Sequence, residues 1–305
     1  MFMNRRNFFK QSGIAAGAAV LAGSSAQAAE SILAAPEPQA SGKQIGIQLY
    51  SLKDDMGKDP EGTLKAVANI GYKTIEPWGY NGKFFGKTPA DFKKFVADLG
   101  MKIISSHTNF GIFFNDTTEA WDAVKKNMAD HQAIGSKWIV QAGYPGGRFT
   151  KLDEVKKLAD NFNRIGELAK TYGLKFAYHN HTEEFNTIER RIPYQQYIEL
   201  TDKNLVTFQM DIGHAANLFV DYIGYLKKYP GRFAILHLRD TDLSTKHATE
   251  FGEGDVRFKE VFDLYPTPNS GLEDYIVEQE EYKYEPLISC QKCYEYLNKA
   301  KWVKW

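Results

Sequence analysis

The chain has 305 residues with 38 basic and 38 acidic side chains, a formal net charge of zero. That balance offers no basic footprint for nucleic acid. The length past the first forty-odd residues suits one large domain with a full core, and the 14% aromatic content fits either such a core or a surface for flat apolar faces.

The chain opens on Asn4-Arg5-Arg6-Asn7-Phe8-Phe9-Lys10, a twin-arginine pattern, followed by an Ala/Gly-rich apolar run over 13–23 and the small residues Ala26-Gln27-Ala28. Residues 1–29 read as a twin-arginine-type signal peptide that directs export to the periplasm. The apolar run is too short and too rich in Gly and Ala for a membrane anchor, and no later stretch could cross a bilayer. Residues 30–42, with Pro36 and Pro38, read as a linker. The domain then occupies 43–305. Without Arg5, Arg6 and Lys10 it is mildly acidic.

Strand-like runs recur along this domain at 44–50, 72–76, 101–107, 137–142, 174–181, 206–211, 233–239 and 274–280. Helical patterns lie between them. Residues 60–70 carry Leu64, Val67, Ala68 and Ile70 on one side; 88–99 start at a Thr-Pro cap; 152–172 repeat Val155, Leu158, Phe162, Ile165 and Leu168. Gly71, Gly100, Gly135 and Gly173 fall where left-handed helix ends are usual. Eight alternating units predict an α/β fold, a single (β/α)8 barrel. A doubly wound sheet would bring a glycine-rich loop after its first strand, and Ser51-Leu52-Lys53-Asp54 is not one. Cys290 and Cys293 sit a turn apart in the last helical pattern, with no second pair for a zinc ribbon.

Several strands end in metal-binding residue types. The run 206–211 ends in Asp211, with His214 three residues on; 174–181 ends in His179 and His181; 233–239 holds His237; 274–280 ends in Glu278 and Glu280. Strand alternation puts Gln209 with Asp211, His179 with His181, His237 with Arg239, and Glu278 with Glu280, joined on the inner face by Glu76 and His107. So many ionisable groups on one buried face need a cation or mutual pairing. Mixed imidazole and carboxylate predict one divalent ion of the Mn, Zn, Co or Fe type. His131, in a helical stretch, reads as ordinary surface.

These strand ends, with MDIGH at 210–214, LHLRD at 236–240, FGEGDV at 251–256, VEQE at 277–280 and YHNH at 178–181, resemble the xylose isomerase-like barrel superfamily. That group holds sugar isomerases and epimerases, inosose dehydratase and endonuclease IV. The resemblance implies that His179, Asp211, His237 and Glu278 hold the metal, with His179 standing where family epimerases often carry glutamate. It places His181 in an acid/base position. Endonuclease IV draws further ligands from a D-x-H that 241–249 lack.

The expected chemistry is proton transfer beside a sugar carbonyl through an enediolate, with His181, Glu278 and Glu76 as catalytic groups. Gln48, Trp78, His107, Asn180, His214, Arg239 and Glu280 are candidate substrate contacts, and Phe110, Phe113 and Phe114 further aromatic ones. Lys246 and Arg257 are candidates for an anionic substituent, but no phosphate-cradling loop accompanies them. A metal-dependent isomerase or epimerase of an unphosphorylated sugar is favoured. A lyase or dehydratase of a keto-sugar or 3-keto-glycoside comes second, and a periplasmic sugar-binding protein without turnover third. The expected partner is a small carbohydrate, not nucleic acid or membrane, with homo-oligomerisation left open.

Overall fold

A computed structural model describes residues 44–111, 116–144, 150–266 and 270–303. The leader at 1–29, the linker at 30–42, and Phe113 and Phe114 lie outside the described residues. Each sequence-read strand run holds strand structure. In chain order these are β1 (Gly46–Gln48), β2 (Thr74–Glu76), β3 (Lys102–Ile103), β4 (Ser105–Thr108), β5 (Trp138–Ala142), β6 (Lys175–His179), β7 (Val206–Asp211) and β8 (Ile235–Leu238). A short antiparallel hairpin follows, β9 (Asp240–Asp242) with β10 (His247–Thr249), and then β11 (Asp274–Val277).

The main sheet runs β3-β2-β1-β11-β8-β7-β6-β5-β4, and its pairings are parallel. β3 and β4 are one strand broken at Ile104, whose N–H donates to Ile75 O at 3.1 Å and whose carbonyl accepts from Trp138 N at 3.1 Å. β3 pairs with β2 and β4 with β5, so the sheet closes into an eight-stranded (β/α)8 barrel.

Helices pack outside it because their apolar stripes need the sheet's outer face. Pro60–Ile70 starts at Asp59, whose side chain accepts Gly62 N–H at 3.0 Å, and Pro89–Asp98 starts at Thr88, which accepts Asp91 N–H at 3.2 Å. Gly71, Gly100, Gly135 and Gly173 all have positive φ. Cys290 and Cys293 form no disulfide and are buried in Pro286–Lys299.

The lower barrel is filled by Trp138, Val140, Ala177, Ala234, Ile235 and Ile276. Trp138 closes its foot: the indole N–H donates to Asp274 Oδ2 at 2.8 Å, and Lys137 and Lys175 stack on the ring at 5.4 and 4.8 Å.

His131 is not at the surface, as its helical pattern suggested, but fully buried. It lies on Thr118–Ile134; Nδ1 donates to Asn127 O at 2.8 Å and Nε2 accepts from Ser106 Oγ at 2.9 Å. Asn127 Nδ2 donates to Thr108 Oγ1 at 2.7 Å. The buried polar residues therefore bolt this helix to β4. Burial pushes the His131 imidazole down from 6.5 to about 4. The unfolded chain takes up this proton as pH falls below 6.5 while the folded one does not until about 4. Stability from this group is complete above the upper value and lost across that window. The expected loss is on the order of 3 kcal/mol. Urea midpoints from pH 7 to 4 should fall more steeply for the native protein than for His131→Gln; parallel curves would refute the assignment.

Candidate functional site

Alternation along the strands turns Gln48 of β1, Glu76 of β2, His107 of β4, Gln209 of β7 and His237 of β8 into one polar layer above the apolar plug. Glu76 is its centre and is fully buried. Its Oε1 accepts from Gln48 Nε2 at 2.7 Å and lies 2.7 Å from His237 Nε2 and 3.0 Å from His107 Nε2. Its Oε2 accepts from Gln209 Nε2 at 2.8 Å. Burial opposes the charge on Glu76, but His107 and His237 outweigh it and hold the carboxyl well below its usual range.

The next layer brings together His179, Asp211, His237 and Glu278, all buried, with one candidate ligand atom from each within 4.8 Å of the others. His237 Nδ1 lies 2.8 Å from Glu278 Oε2. The imidazole thus spans two carboxylates; burial disfavours its charge, but Glu76 and Glu278 raise it to about 10. Asp211 caps the helix Ile212–Asn217: Oδ1 accepts His214 N–H at 2.7 Å, while Oδ2 is buried with no partner. Burial pushes the Asp211 carboxyl up to about 8. An orphaned carboxylate oxygen facing converging imidazole and carboxylate is costly alone and fits a divalent cation.

Two of the four, His179 and Glu278, line a cavity of about 340 Å³. His107, His179, His181, Glu278 and Glu280 line its polar side. Tyr50, Trp78 and Tyr80 form an aromatic wall, with Trp78 edge-on to Tyr50 at 5.4 Å between ring centres. His181 is set by its surroundings. Its N–H donates to Glu184 Oε2 at 3.0 Å, and Glu184 Oε1 accepts from Tyr178 OH at 2.5 Å. Its ring lies against Gly143, where φ is +66° and a Cβ would sit 2.3 Å from His181 Nδ1. Only glycine fits both conditions. Beside it, Arg239 Nη1 donates to His214 Nε2 at 2.7 Å and pairs with Glu280 Oε2 at 2.5 Å.

Several sequence-named residues therefore stand elsewhere than expected. Gln48 and Glu76 do not line the cavity, and Glu76 lies against His237 and His107. Asn180 is fully buried; its side chain pairs with both backbone groups of Asp211, at 3.0 and 3.2 Å, and extends the β6–β7 contact. His214 and Arg239 are bonded to each other and do not line the cavity. Phe110 is buried against Phe176, Lys246 stacks on Phe219, and Arg257 pairs with Glu260 at the surface. The FGEGDV segment is a structural clamp: the N–H groups of Gly252, Gly254 and Val256, with Thr241, converge on the Asp240 carboxylate. Sequence reading missed Glu184, Gly143, Tyr50 and Tyr80. Tyr50 and Tyr80 follow the ends of β1 and β2, where a barrel places its site, and that position was the available signal.

The model of the family described as xylose isomerase-like TIM barrel matches residues 64–280. A solved sugar phosphate isomerase/epimerase from Parabacteroides distasonis is 32% identical, with a TM-score of 0.75 over 86% of this chain and 100% of that one. An inosose dehydratase from Clostridium perfringens is 26% identical over 201 residues, 54% of this chain and 66% of that protein. The chain spans between 47% and 66% of the first curated relatives it matches. The IOLI protein, solved with a zinc atom, shares the fold at 17% identity and a TM-score of 0.63, over 86% of this chain and 98% of that one. With its closed barrel and its polar strand ends, the chain belongs to the xylose isomerase-like TIM barrel family.

Proposed function

We propose that this protein is a metal-dependent isomerase or epimerase that moves a proton at the carbon beside the carbonyl of an unphosphorylated sugar. The observation that carries this is the convergence of His179, Asp211, His237 and Glu278, with Asp211 Oδ2 unpartnered and with His179 and Glu278 lining the cavity. These four would hold a divalent ion of the Mn, Zn, Co or Fe type, which when bound polarises a carbonyl and its neighbouring hydroxyl. Glu76 fixes the ring of His237 by taking Nε2, which leaves Nδ1 directed into the cluster.

The proton work falls to groups on the cavity wall. His181 lines the cavity, and its imidazole can accept and return a proton. Glu280 lines the same cavity, held by Arg239, and supplies a second such group. Tyr50 and Trp78 offer rings on which the C–H face of a sugar packs. Among the described residues no lysine or arginine lines the cavity, which favours a neutral sugar over a phosphorylated one. A lyase or dehydratase is the second reading, favoured by the curated relatives named inosose dehydratase. It shares the first proton step and differs in releasing water or an aglycone. The leader at 1–29 would export the enzyme through the twin-arginine route to the periplasm. Among the described residues no helix is long and apolar enough to cross a membrane.

Elemental analysis of the purified protein should find about one divalent transition metal per chain. Asp211→Ala or His237→Ala should abolish it, and Glu76→Gln should weaken affinity about 10–100-fold. Full occupancy in the two alanine variants would overturn the centre.

Free sugars, keto-sugars and glycosides incubated in deuterium oxide and followed by NMR should show solvent deuterium at one carbon. Appearance of an aglycone or a dehydrated product would select the lyase. On the substrate so found, His181→Ala should keep the metal and lose on the order of a hundredfold to ten-thousandfold in turnover. Gly143→Ala should displace the His181 ring and lower turnover with the metal retained. Unchanged turnover in both would remove His181 from the chemistry.

Replacing Arg5 and Arg6 together by lysine should leave the protein uncleaved in the cytoplasmic fraction. Unaltered processing and location would rule out twin-arginine export.

A further inference from the structure

We infer that Asn109 is a further substrate contact of this site, offering an oriented pair of N–H donors to a sugar oxygen, and that the buried Gln141 is the positioning residue that orients them. This rests on the proposed function, since it needs a sugar in the cavity.

Gln141 lies on β5 between Val140, which fills the barrel, and Ala142, which lines the cavity. Strand alternation therefore turns its side chain away from the cavity. It is fully buried there, and a buried amide is costly unless its hydrogen bonds are made. Oε1 accepts Phe110 N–H at 3.0 Å, while Nε2 donates to Gly143 O at 2.9 Å and to Asn109 Oδ1 at 3.0 Å. The two ends of an amide have the same shape, but these partners tell them apart. A backbone N–H can only donate and a carbonyl can only accept, so Oε1 faces Phe110 and Nε2 faces Gly143. The second hydrogen on Nε2 then needs an acceptor on Asn109. That requirement turns Oδ1 of Asn109 toward Gln141 and leaves the Nδ2 hydrogens for another partner. Among the described residues Nδ2 has none.

Asn109 lines the cavity beside His107 and Thr108, just past the carboxyl end of β4, where a barrel places its site. The carboxylates of Glu278 and Glu280 on the same lining accept hydrogen bonds. Asn109 supplies the opposite polarity without a charge, which suits a lone pair on a neutral sugar. Gln141 itself is not on the lining. Its other bond reaches Gly143, whose N–H donates to His179 O at 2.9 Å and against which the His181 ring lies. One buried amide thus sets a substrate donor on one side and the backing of the His181 ring on the other.

The test uses the full chain with its metal and the sugar that takes up solvent deuterium in the NMR incubation above. Circular dichroism and metal content confirm each variant, and KM and kcat are read separately. Asn109→Ala should raise KM about tenfold and leave kcat within about twofold, as loss of one hydrogen bond made equally in ground and transition state requires. Asn109→Asp keeps the acceptor for Gln141 but puts an oxygen where the N–H pair was, and should raise KM further. Gln141→Glu keeps the bond from Phe110 N–H and loses both donors. It should raise KM as Asn109→Ala does and lower kcat as well, through Gly143. In the double variant Gln141→Glu/Asn109→Ala the KM should be no higher than in Asn109→Ala alone, because both changes remove the same contact. A structural role for Gln141 would instead make the two KM effects multiply, and that result would overturn its part. Native KM in both Asn109 variants would overturn the whole inference, and these exposed-site variants decide it even where Gln141→Glu does not fold. If no sugar takes up deuterium, the proposed function itself falls, and this inference with it.

Discussion

Everything at the upper end of this barrel answers to one constraint: carboxylates have been taken out of water. Glu76 and Asp211 are fully buried, Glu278 is nearly so, and Glu280 is three-quarters shielded. A buried carboxylate without a compensating charge is very unfavourable, and each of these is placed against a cation or a hydrogen-bond donor. Glu76 takes Gln48, Gln209, His107 and His237; Glu278 takes His237; Glu280 takes Arg239. Among the described residues, Asp211 is the carboxylate with a fully buried oxygen that has no partner. The apolar plug around Trp138 makes the arrangement durable, because it closes the barrel foot to water and leaves the polar layers nowhere to relax.

The fold was legible because its signals are periodic. Eight runs of apolar residues alternating with helical patterns leave few architectures, and the strand ends showed where the polar groups gather. Parity along a strand also sorted inward from outward residues: Gln209 with Asp211, and Glu278 with Glu280. Parity does not give height. Gln48 and Glu76 face inward as expected, yet they do not line the cavity. Asn180 falls between two inward histidines, and its amide completes the backbone pairing of Asp211.

Other residues were hidden for different reasons. His131 and Asn127 are polar residues on the buried face of their helix, so they weaken the apolar stripe that would have revealed that face. Their bonds to Ser106 and Thr108 join segments about twenty residues apart in the chain. Glu184 looks like one more charge in a polar loop until Tyr178 and the His181 backbone are placed around it. Gly143 has a role only because the His181 ring lies against it. Tertiary context decided each of these, and no single stretch of sequence carries it.

The histidine at position 179 completes the electrostatic logic. A glutamate there, the residue to which the resemblance points, would give the four-residue cluster three carboxylates. With His179 it has two, Asp211 and Glu278, which a divalent ion would match charge for charge. Arg239 and Glu280 then balance each other beside it, and Glu76 is left to the imidazoles of His107 and His237. The three balances are interlocked: His237 belongs to two of them, and Arg239 borders both Glu280 and His214. The imidazole at 179 therefore leaves the cluster with the two carboxylates of Asp211 and Glu278, while Arg239 is left to Glu280.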